Sequence, residues 1–423
     1  MQTVRDVVVV GGGPAGSAAA IWLAREGMDV ALYDRASFPR DKACGEFLTP
    51  QTRVLLEDLG AWPAICRAGV RPVCATVLAT PDGHRFHHMH TCATPVGYAL
   101  RRVTLDAVLL EHACRSGVAV QTGATVRGVL RDATGRVCGV QVQSADGRTD
   151  TVRARLVLAA DGTHSRIARD MGLVRPIRRL QRVAVVTHGR VSGGRTDTIE
   201  MRARGPIVCG LGFPGGLQEG EEASPVANVT LVAPVTMAAH IAGRPRDFVL
   251  QTLEVHFPDV AARLAWSDCS LEVRTIGCFG HVCRPPLAEG VLLLGDAATF
   301  IDPFTGEGVY FALRGAQCAA EVASAALRAG DLSRARLMTY ARARRELNLR
   351  YLLCDLVQAV VRRPALFARV VHQLDTVPGL DERLFAVLGD RRPPSDALHP
   401  AFLWRVLAPG LDMTRFRPAG AGR

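Results

Sequence analysis

Near the amino terminus, Gly11-Gly12-Gly13-Pro14-Ala15-Gly16 puts a G-x-G-x-x-G pattern directly after a run of valines. Glycines at this spacing suit a diphosphate. Gly11 allows a tight turn, Gly13 lets a pyrophosphate approach the backbone, and Gly16 lets helix and strand pack closely. Pro14 and Ala15 then open a helix whose free N–H groups and positive dipole end favour an anion. Asp34, followed by Arg35, stands where a carboxylate can accept from ribose hydroxyls. Far along the chain, Gly295-Asp296 follows a short apolar run, Val291 to Leu294. A carboxylate at the carboxyl end of a parallel strand lies where open α/β sheets bind ligands. Pro303, Gly306 and Gly308 loosen the chain before a second helical stretch, Val309 to Leu327. This is a second glycine-rich entry to a helix N-terminus, and an ordinary N-cap on Asp302 is compatible with it.

Other residues leave more than one reading open. Lys42-Ala43-Cys44-Gly45-Glu46 precedes Thr49-Pro50, a good N-cap and first helical position. Cys44 suits a proton donor, a redox thiol or a buried small residue. Glu46 suits a general acid or a surface carboxylate ahead of a helix. His84, His87, His88 and His90 follow the turn Pro81-Asp82-Gly83. On a hairpin strand His88 and His90 share a face and His87 opposes them. No carboxylate or cysteine in that stretch completes a metal set, so a half-exposed strand face is the expectation. Gly210-Leu211-Gly212-Phe213-Pro214-Gly215 repeats the glycine pattern. Its internal proline and the acidic, loop-like stretch from Gln218 to Pro225 argue against a second nucleotide site.

The elements that position these residues follow from periodicity. Val4 to Val10 reads as a buried strand, the stretch to Arg25 as a helix stopped at Gly27, and Asp29 to Tyr33 as a second strand. Strand, glycine turn, helix, strand and acid together make a βαβ nucleotide-binding start. Residues 118–160 read as a meander with turns at Asp132 to Arg136 and Ala145 to Arg148. The chain of 423 residues is long enough for several packed units, and 48% hydrophobic against 22% charged residues excludes a disordered chain. The formal charge of +11 favours anionic partners but is spread along the chain, mostly as arginine. Only 5% of residues are aromatic and no reader motif is present, which argues against nucleic acid. The 12 cysteines are scattered without a Cys-x-x-Cys pair, so reduced thiols in a cytoplasmic protein are expected, not a structural zinc. No apolar stretch of spanning length or signal peptide is evident.

The motifs in this order resemble the FAD-dependent oxidoreductases of the p-hydroxybenzoate-hydroxylase superfamily. Gly-Gly-Gly-Pro-Ala-Gly with Asp34 is similar to the superfamily's opening. Arg102-Val103-Thr104-Leu105-Asp106 resembles its Arg-x-x-Leu-Asp helix start, where the arginine reaches the FAD. Leu158 to Ser165, containing Asp161-Gly162, resembles its Asp-Gly segment. Leu292 to Ala298 resembles the Gly-Asp segment whose aspartate holds the ribityl chain. Phe38 to Glu46 and Asp302 to Gly308 look most like the geranylgeranyl-reductase-related branch. Halogenases of the superfamily carry Trp-x-Trp-x-Ile-Pro, whereas Trp22, Trp62, Trp266 and Trp404 are isolated. The resemblance places Val126 on the strand that meets the adenine and Gly210 to Gly215 in a turn facing substrate. It also places Lys42 in the cofactor site.

The expected fold is α/β. A discontinuous Rossmann-type FAD-binding domain (1–70, 101–170, 276–330) joins a mixed β-sheet substrate domain (71–100, 171–275) and a helical C-terminal region (331–423). FAD is expected to be non-covalent, with NADH or NADPH as a transient reductant, because no dedicated nicotinamide domain is evident. The resemblance implies reduction of a carbon–carbon double bond in a prenyl or lipid-like substrate. The alternatives are a monooxygenase acting on an aromatic or polyketide ring, and a flavin electron-relay protein. Arginines and paired apolar residues between Arg342 and Arg369 suit a helix packed on the core, or a peripheral membrane-facing surface.

Overall fold

The computed structural model describes residues 4–91, 93–216, 225–265, 272–301, 305–389 and 391–407. The strand Arg5–Val10 is buried from Val7 onward and lies at the centre of the first sheet. It pairs in parallel with Thr149–Ala159 on one side and Val30–Tyr33 on the other. Val291–Leu293 extends the parallel order beyond Thr149–Ala159, and Ala119–Gln121 extends it beyond Val30–Tyr33. A strand buried on both faces reads as a continuous apolar run, and Val7 to Val10 is such a run. The helix Pro14–Arg25 packs on the sheet beside the helices Arg102–Arg115 and Gly308–Arg328. Ala18, Ala19, Ala20, Ile21 and Leu23 bring it into the largest core. The meander is present: Thr149–Ala159 turns back on Val137–Gln143, which pairs with Thr125–Arg131.

The second sheet is mixed. Arg182–Val191 pairs antiparallel with Val226–Pro234, which continues through Ile207–Gly212 to Thr198–Arg204. Thr198–Arg204 then pairs in parallel with Ala75–Ala79, and Arg85–Met89 closes that edge. Arg274–Phe279 pairs with the other side of Arg182–Val191. The sheet therefore reaches past the boundary expected at residue 276.

Alternation along Arg182–Val191 decides what each face meets. Val183, Val185 and Val191 enter a core with the helix Pro245–His256. Ala184 belongs to the core shared with the C-terminal helices, including Pro364–Thr376. The C-terminal region is helical, and Leu353, Cys354 and Val361 of Arg345–Val361 are buried. Leu349 and Leu352 of the same helix stay exposed.

The histidine stretch lies on a hairpin strand as its periodicity predicts. His88 is buried and His87 exposed. His88 Nδ1 lies 2.8 Å from Asp381 Oδ2, and His84 Nε2 lies 3.1 Å from Asp375 Oδ2. These carboxylates come from the C-terminal region, so the stretch packs the hairpin against that region. Among the described residues no group of three or more metal-ligating side chains occurs. Cys74 is disulfide-bonded, whereas Cys44, Cys66, Cys114, Cys138, Cys209, Cys283, Cys318 and Cys354 are free thiols. Cys66 and Cys114 are exposed, whereas Cys209, Cys283, Cys318 and Cys354 are buried. No described helix is long and apolar enough to cross a membrane.

Candidate active site

A cavity of about 820 Å³ runs from the carboxyl ends of the first sheet to the face of the second. Its first wall is the glycine turn. Gly11 has φ +104°, and a Cβ there would stand 2.4 Å from the Ala160 carbonyl oxygen. A Cβ on Gly16 would stand 1.8 Å from the Gly11 oxygen. Both positions require glycine for packing. Gly13 differs, because its nearest neighbour would be Arg40 Nη2 at 3.5 Å, on the cavity side. Its face toward the cavity is open. Pro14 occupies the first helical turn, and Pro14 and Ala15 both line the cavity.

Asp34 is 6% exposed at the end of its strand. Its Oδ2 accepts from Gly12 N at 2.6 Å and its Oδ1 from Ala36 N at 2.8 Å. Arg35 and Val126 line the same end. In the middle of the cavity Asp296 Oδ2 meets Lys42 Nζ and Thr163 Oγ1, each at 3.1 Å. Burial pushes the Asp296 carboxyl up, but the Lys42 ammonium and the Arg102 guanidinium outweigh it and hold the carboxyl below its ordinary range. His281 Nε2 donates to the Asp296 carbonyl at 2.9 Å, and burial lowers the His281 pKa. Asp161 Oδ2 accepts from Arg166 N at 2.8 Å, while its Oδ1 is buried without a partner. Burial raises this carboxyl against the pull of Ser165 and the Arg166 and Ile167 N–H groups.

Gly295 (φ +52°) and Gly306 (φ +73°) both need left-handed backbone. A Cβ on Gly306 would stand 2.7 Å from Phe47 Cδ1. Gly308 starts the helix Gly308–Arg328 and lines the cavity. Pro303 lies outside the described residues.

Arg102 is buried and forks onto Asp106, with Nε to Oδ1 at 3.0 Å and Nη2 to Oδ2 at 2.9 Å. Burial would lower its pKa, but Asp106 and Cys44 raise it further. Arg40 Nη1 also donates to Asp106 Oδ2, at 2.9 Å. Cys44 Sγ accepts from Glu46 N at 3.3 Å. Glu46 is 2% exposed with φ +58°, the left-handed region that a non-glycine residue occupies at a cost. Its Oε1 accepts from Arg102 N at 3.0 Å and pairs with Arg101 Nε at 3.2 Å. Its Oε2 accepts from His188 Nε2 at 2.8 Å and Asn228 Nδ2 at 3.1 Å. All four partners are donors. Glu46 thus covers the N-terminus of Arg102–Arg115, where Arg101 supplies no side-chain cap.

The glycine turn, Asp34, Arg35, Lys42, Cys44, Glu46, Arg102, Val126, Asp161, Gly295, Asp296, Gly306 and Gly308 therefore gather at one site; of these, all but Gly12, Gly16 and Gly295 line the cavity itself. Phe213, expected to face substrate, is 1% exposed and packs in the second sheet's core. Arg101, His188, Asn228 and His281 carry no motif, and sequence reasoning missed them; Thr163 lies inside the Asp-Gly segment but was not singled out. The one local signal was Arg101, adjacent to Arg102.

The cavity, the open Gly13 cradle and the unpartnered Asp161 Oδ1 fit an elongated dinucleotide cofactor. The fold and site are those of a flavin-dependent oxidoreductase. A family model described as FAD binding domain matches residues 5–352, and the chain belongs to that family, the p-hydroxybenzoate-hydroxylase-like flavoproteins. It is 33% identical over 338 residues to the menaquinone reductase of Mycolicibacterium smegmatis, covering 76% of this chain and 77% of the relative. It is 32% identical over 345 residues to digeranylgeranylglycerophospholipid reductase 2 of Methanopyrus kandleri, covering 79% and 81%. Among solved structures, a geranylgeranyl bacteriochlorophyll reductase-like protein of Thermoplasma acidophilum superposes with TM-score 0.74 at 20% identity, covering 94% of this chain and 99% of that one. The flavin-dependent brominase Bmp2 superposes with TM-score 0.77, also at 20% identity, covering 93% and 97%. At such identities the two structures establish the shared fold alone.

Proposed function

We propose that this protein reduces a carbon–carbon double bond in a prenyl or other lipid-like substrate. One observation carries the reading: from the diphosphate cradle the cavity runs to the second sheet, where Ala184, Val186 and Ile276 line it beside Thr230, Thr275 and Arg274. An apolar end with few convergent polar groups suits a hydrophobic chain. The names of the prenyl-lipid and quinone reductases similar to this chain support the same substrate class.

FAD, when bound, supplies the hydride; the protein supplies binding, orientation and electrostatics. Gly13 and the N-terminus of Pro14–Arg25 would hold the diphosphate non-covalently. Asp34 would accept from the ribose, and Asp296 with Lys42 would hold the sugar arm. The N-terminus of Gly308–Arg328 would face developing negative charge. Cys44, beside the Arg102 guanidinium, is placed to donate a proton or to orient the cofactor. Glu46, with both oxygens taken by donors, is placed to position its neighbours. NADH or NADPH would reduce the cofactor transiently. Leu349 and Leu352 would offer a surface for contact with a membrane holding the substrate.

The test is anaerobic turnover with NADH, NADPH or dithionite and candidate prenyl alkenes and phenols. Product formation without oxygen supports the reductase. Turnover that stops without oxygen assigns a monooxygenase. Reoxidation only on meeting a protein partner assigns an electron relay.

A further inference from the structure

Beside the main cavity lies a hollow of about 260 Å³, lined by Asp41, Lys42, Arg101, Val186, His188, Glu272 and Arg274. It shares Asp41, Lys42, Val186 and Arg274 with the main cavity, so the two lie on either side of the same residues. Most of its charged groups are committed. Lys42 pairs with Asp296 at 3.1 Å. Asp41 bridges Arg101 at 3.2 Å and Arg274 at 3.3 Å, and Glu272 pairs with Arg274 at 3.0 Å. Arginine does not release its proton.

His188 is the one imidazole among the lining residues, and Glu46 takes only one of its two ring nitrogens. It shares a strand face with Ala184 and Val186, four and two residues before it, which line the main cavity. The surrounding bonds fix its ring. Asn228 Nδ2 has two hydrogens, and Cys44 O at 2.8 Å and Glu46 Oε2 at 3.1 Å take both. The Cys44 carbonyl can only accept, which settles the amide's orientation, and Asn228 Oδ1 then accepts from Thr230 Oγ1 at 2.8 Å. The 3.3 Å approach of Asn228 Nδ2 to His188 Nε2 is therefore a contact without a shared proton. His188 Nε2 must carry hydrogen to satisfy Glu46 Oε2 at 2.8 Å. Nδ1 is left as the ring nitrogen that takes no part in this network.

We propose that His188 is the proton donor to the substrate, and that Glu46 and Asn228 are its positioning residues. This rests on the double-bond-reductase reading. One alkene carbon takes the hydride. The π pair forms the second C–H bond with the proton from His188 Nδ1. The ring is left neutral as the Nε2–H tautomer, which Glu46 already favours, and recovers its proton from water. A reduced nicotinamide or dithionite supplies the two electrons. The same network explains why a residue other than glycine is kept at φ +58°. Only a side chain at position 46 reaches the helix start, His188 and Asn228 together.

The experiment uses flavin-loaded protein reduced by dithionite without oxygen, with a menaquinone bearing a short prenyl chain as probe. His188→Gln is expected to slow prenyl reduction about 100-fold or more. It should also abolish the loss of rate as pH rises, with flavin content and the rate of reduction by dithionite unchanged. Nitrogen NMR of the wild-type ring, assigned by difference against His188→Gln, should show Nε2–H at high pH, and Glu46→Gln should remove that preference. Wild-type rates and pH dependence in His188→Gln, or an Nδ1–H tautomer in the wild type, would overturn the proposal while the reductase reading stands. A wild-type protein that keeps its reduced flavin and leaves the probe untouched would refute the reductase reading, and the donor role with it.

Discussion

Glu307 gives the sharpest stability test. It is 1% exposed, neither carboxylate oxygen has a hydrogen-bond partner among the described residues, and it is the N-cap of Gly308–Arg328 without a side-chain cap bond. Burial pushes its carboxyl from near 4.5 up to about 7, and the Arg350 guanidinium opposes this only in part. Because the folded value is raised, the folded protein holds a proton that the unfolded chain has released. Stability therefore falls as pH rises from about 4.5 through about 7. A shift of this size corresponds to about 3 kcal/mol of destabilisation by pH 8, and under 1 kcal/mol at pH 5. Glu307→Gln keeps the shape and removes the charge. Whatever the amide costs, it costs equally at both pH values. The variant's stability relative to wild type, from urea unfolding, should thus rise by about 2–3 kcal/mol between pH 5 and pH 8. A difference that does not change with pH would show that Glu307 is not a buried carboxyl charging in this window.

Gly16→Ala should destabilise the fold itself, since its Cβ would meet the Gly11 oxygen at 1.8 Å. Gly13→Val should instead leave a folded but colourless protein, read by circular dichroism and bound-flavin absorbance; a flavin-replete Gly13→Val would remove the phosphate role from that glycine. Asp296→Asn should lower FAD affinity about tenfold or more, by fluorescence titration, because the charge facing Lys42 and Thr163 is lost. Tyr340→Phe should cost about 1–3 kcal/mol, since the Tyr340 hydroxyl donates to the Leu293 carbonyl at 2.7 Å in a fully buried position. An unchanged urea midpoint in that variant would show that the carbonyl finds another donor.

The first sheet was legible because its signals are local. The valine run, the glycine spacing, Asp34 and the strand before Asp296 each lie within a few residues of the group they position. The same holds for Thr49, whose side chain accepts from Thr52 N as an N-cap should. Glu46 was visible as a candidate, but its partners were not. His188 and Asn228 lie in a valine- and alanine-rich sheet where nothing nearby marks them, and only the pairing of His188 with Asn228 across two strands joins them. Phe213 shows the opposite failure, a pattern that reads as a site and folds into a core because it continues the buried alternation of Cys209 and Leu211 one residue past the strand Ile207–Gly212. The interleaving of the two sheets at Arg274–Phe279 was equally hidden, since a strand's partner is not written in its own residues.

The segment from Lys42 to Glu46 carries more of the architecture than its length suggests. Lys42 Nζ reaches Asp296 on the first sheet's far side. The Cys44 carbonyl accepts from Asn228 on the second sheet, and the Glu46 carbonyl accepts from Leu100 N. The Glu46 side chain then binds the start of Arg102–Arg115. Five residues thus fasten the first sheet's end to the second sheet at points that share no secondary structure. Such a strap fixes the distance between a bound cofactor and the substrate chamber more firmly than packing of either sheet alone, because slippage would strip buried carbonyls and a buried carboxylate of their donors together. The left-handed backbone at Glu46 is the local cost of that registration, and it falls at the residue through which cradle, helix and substrate sheet are joined.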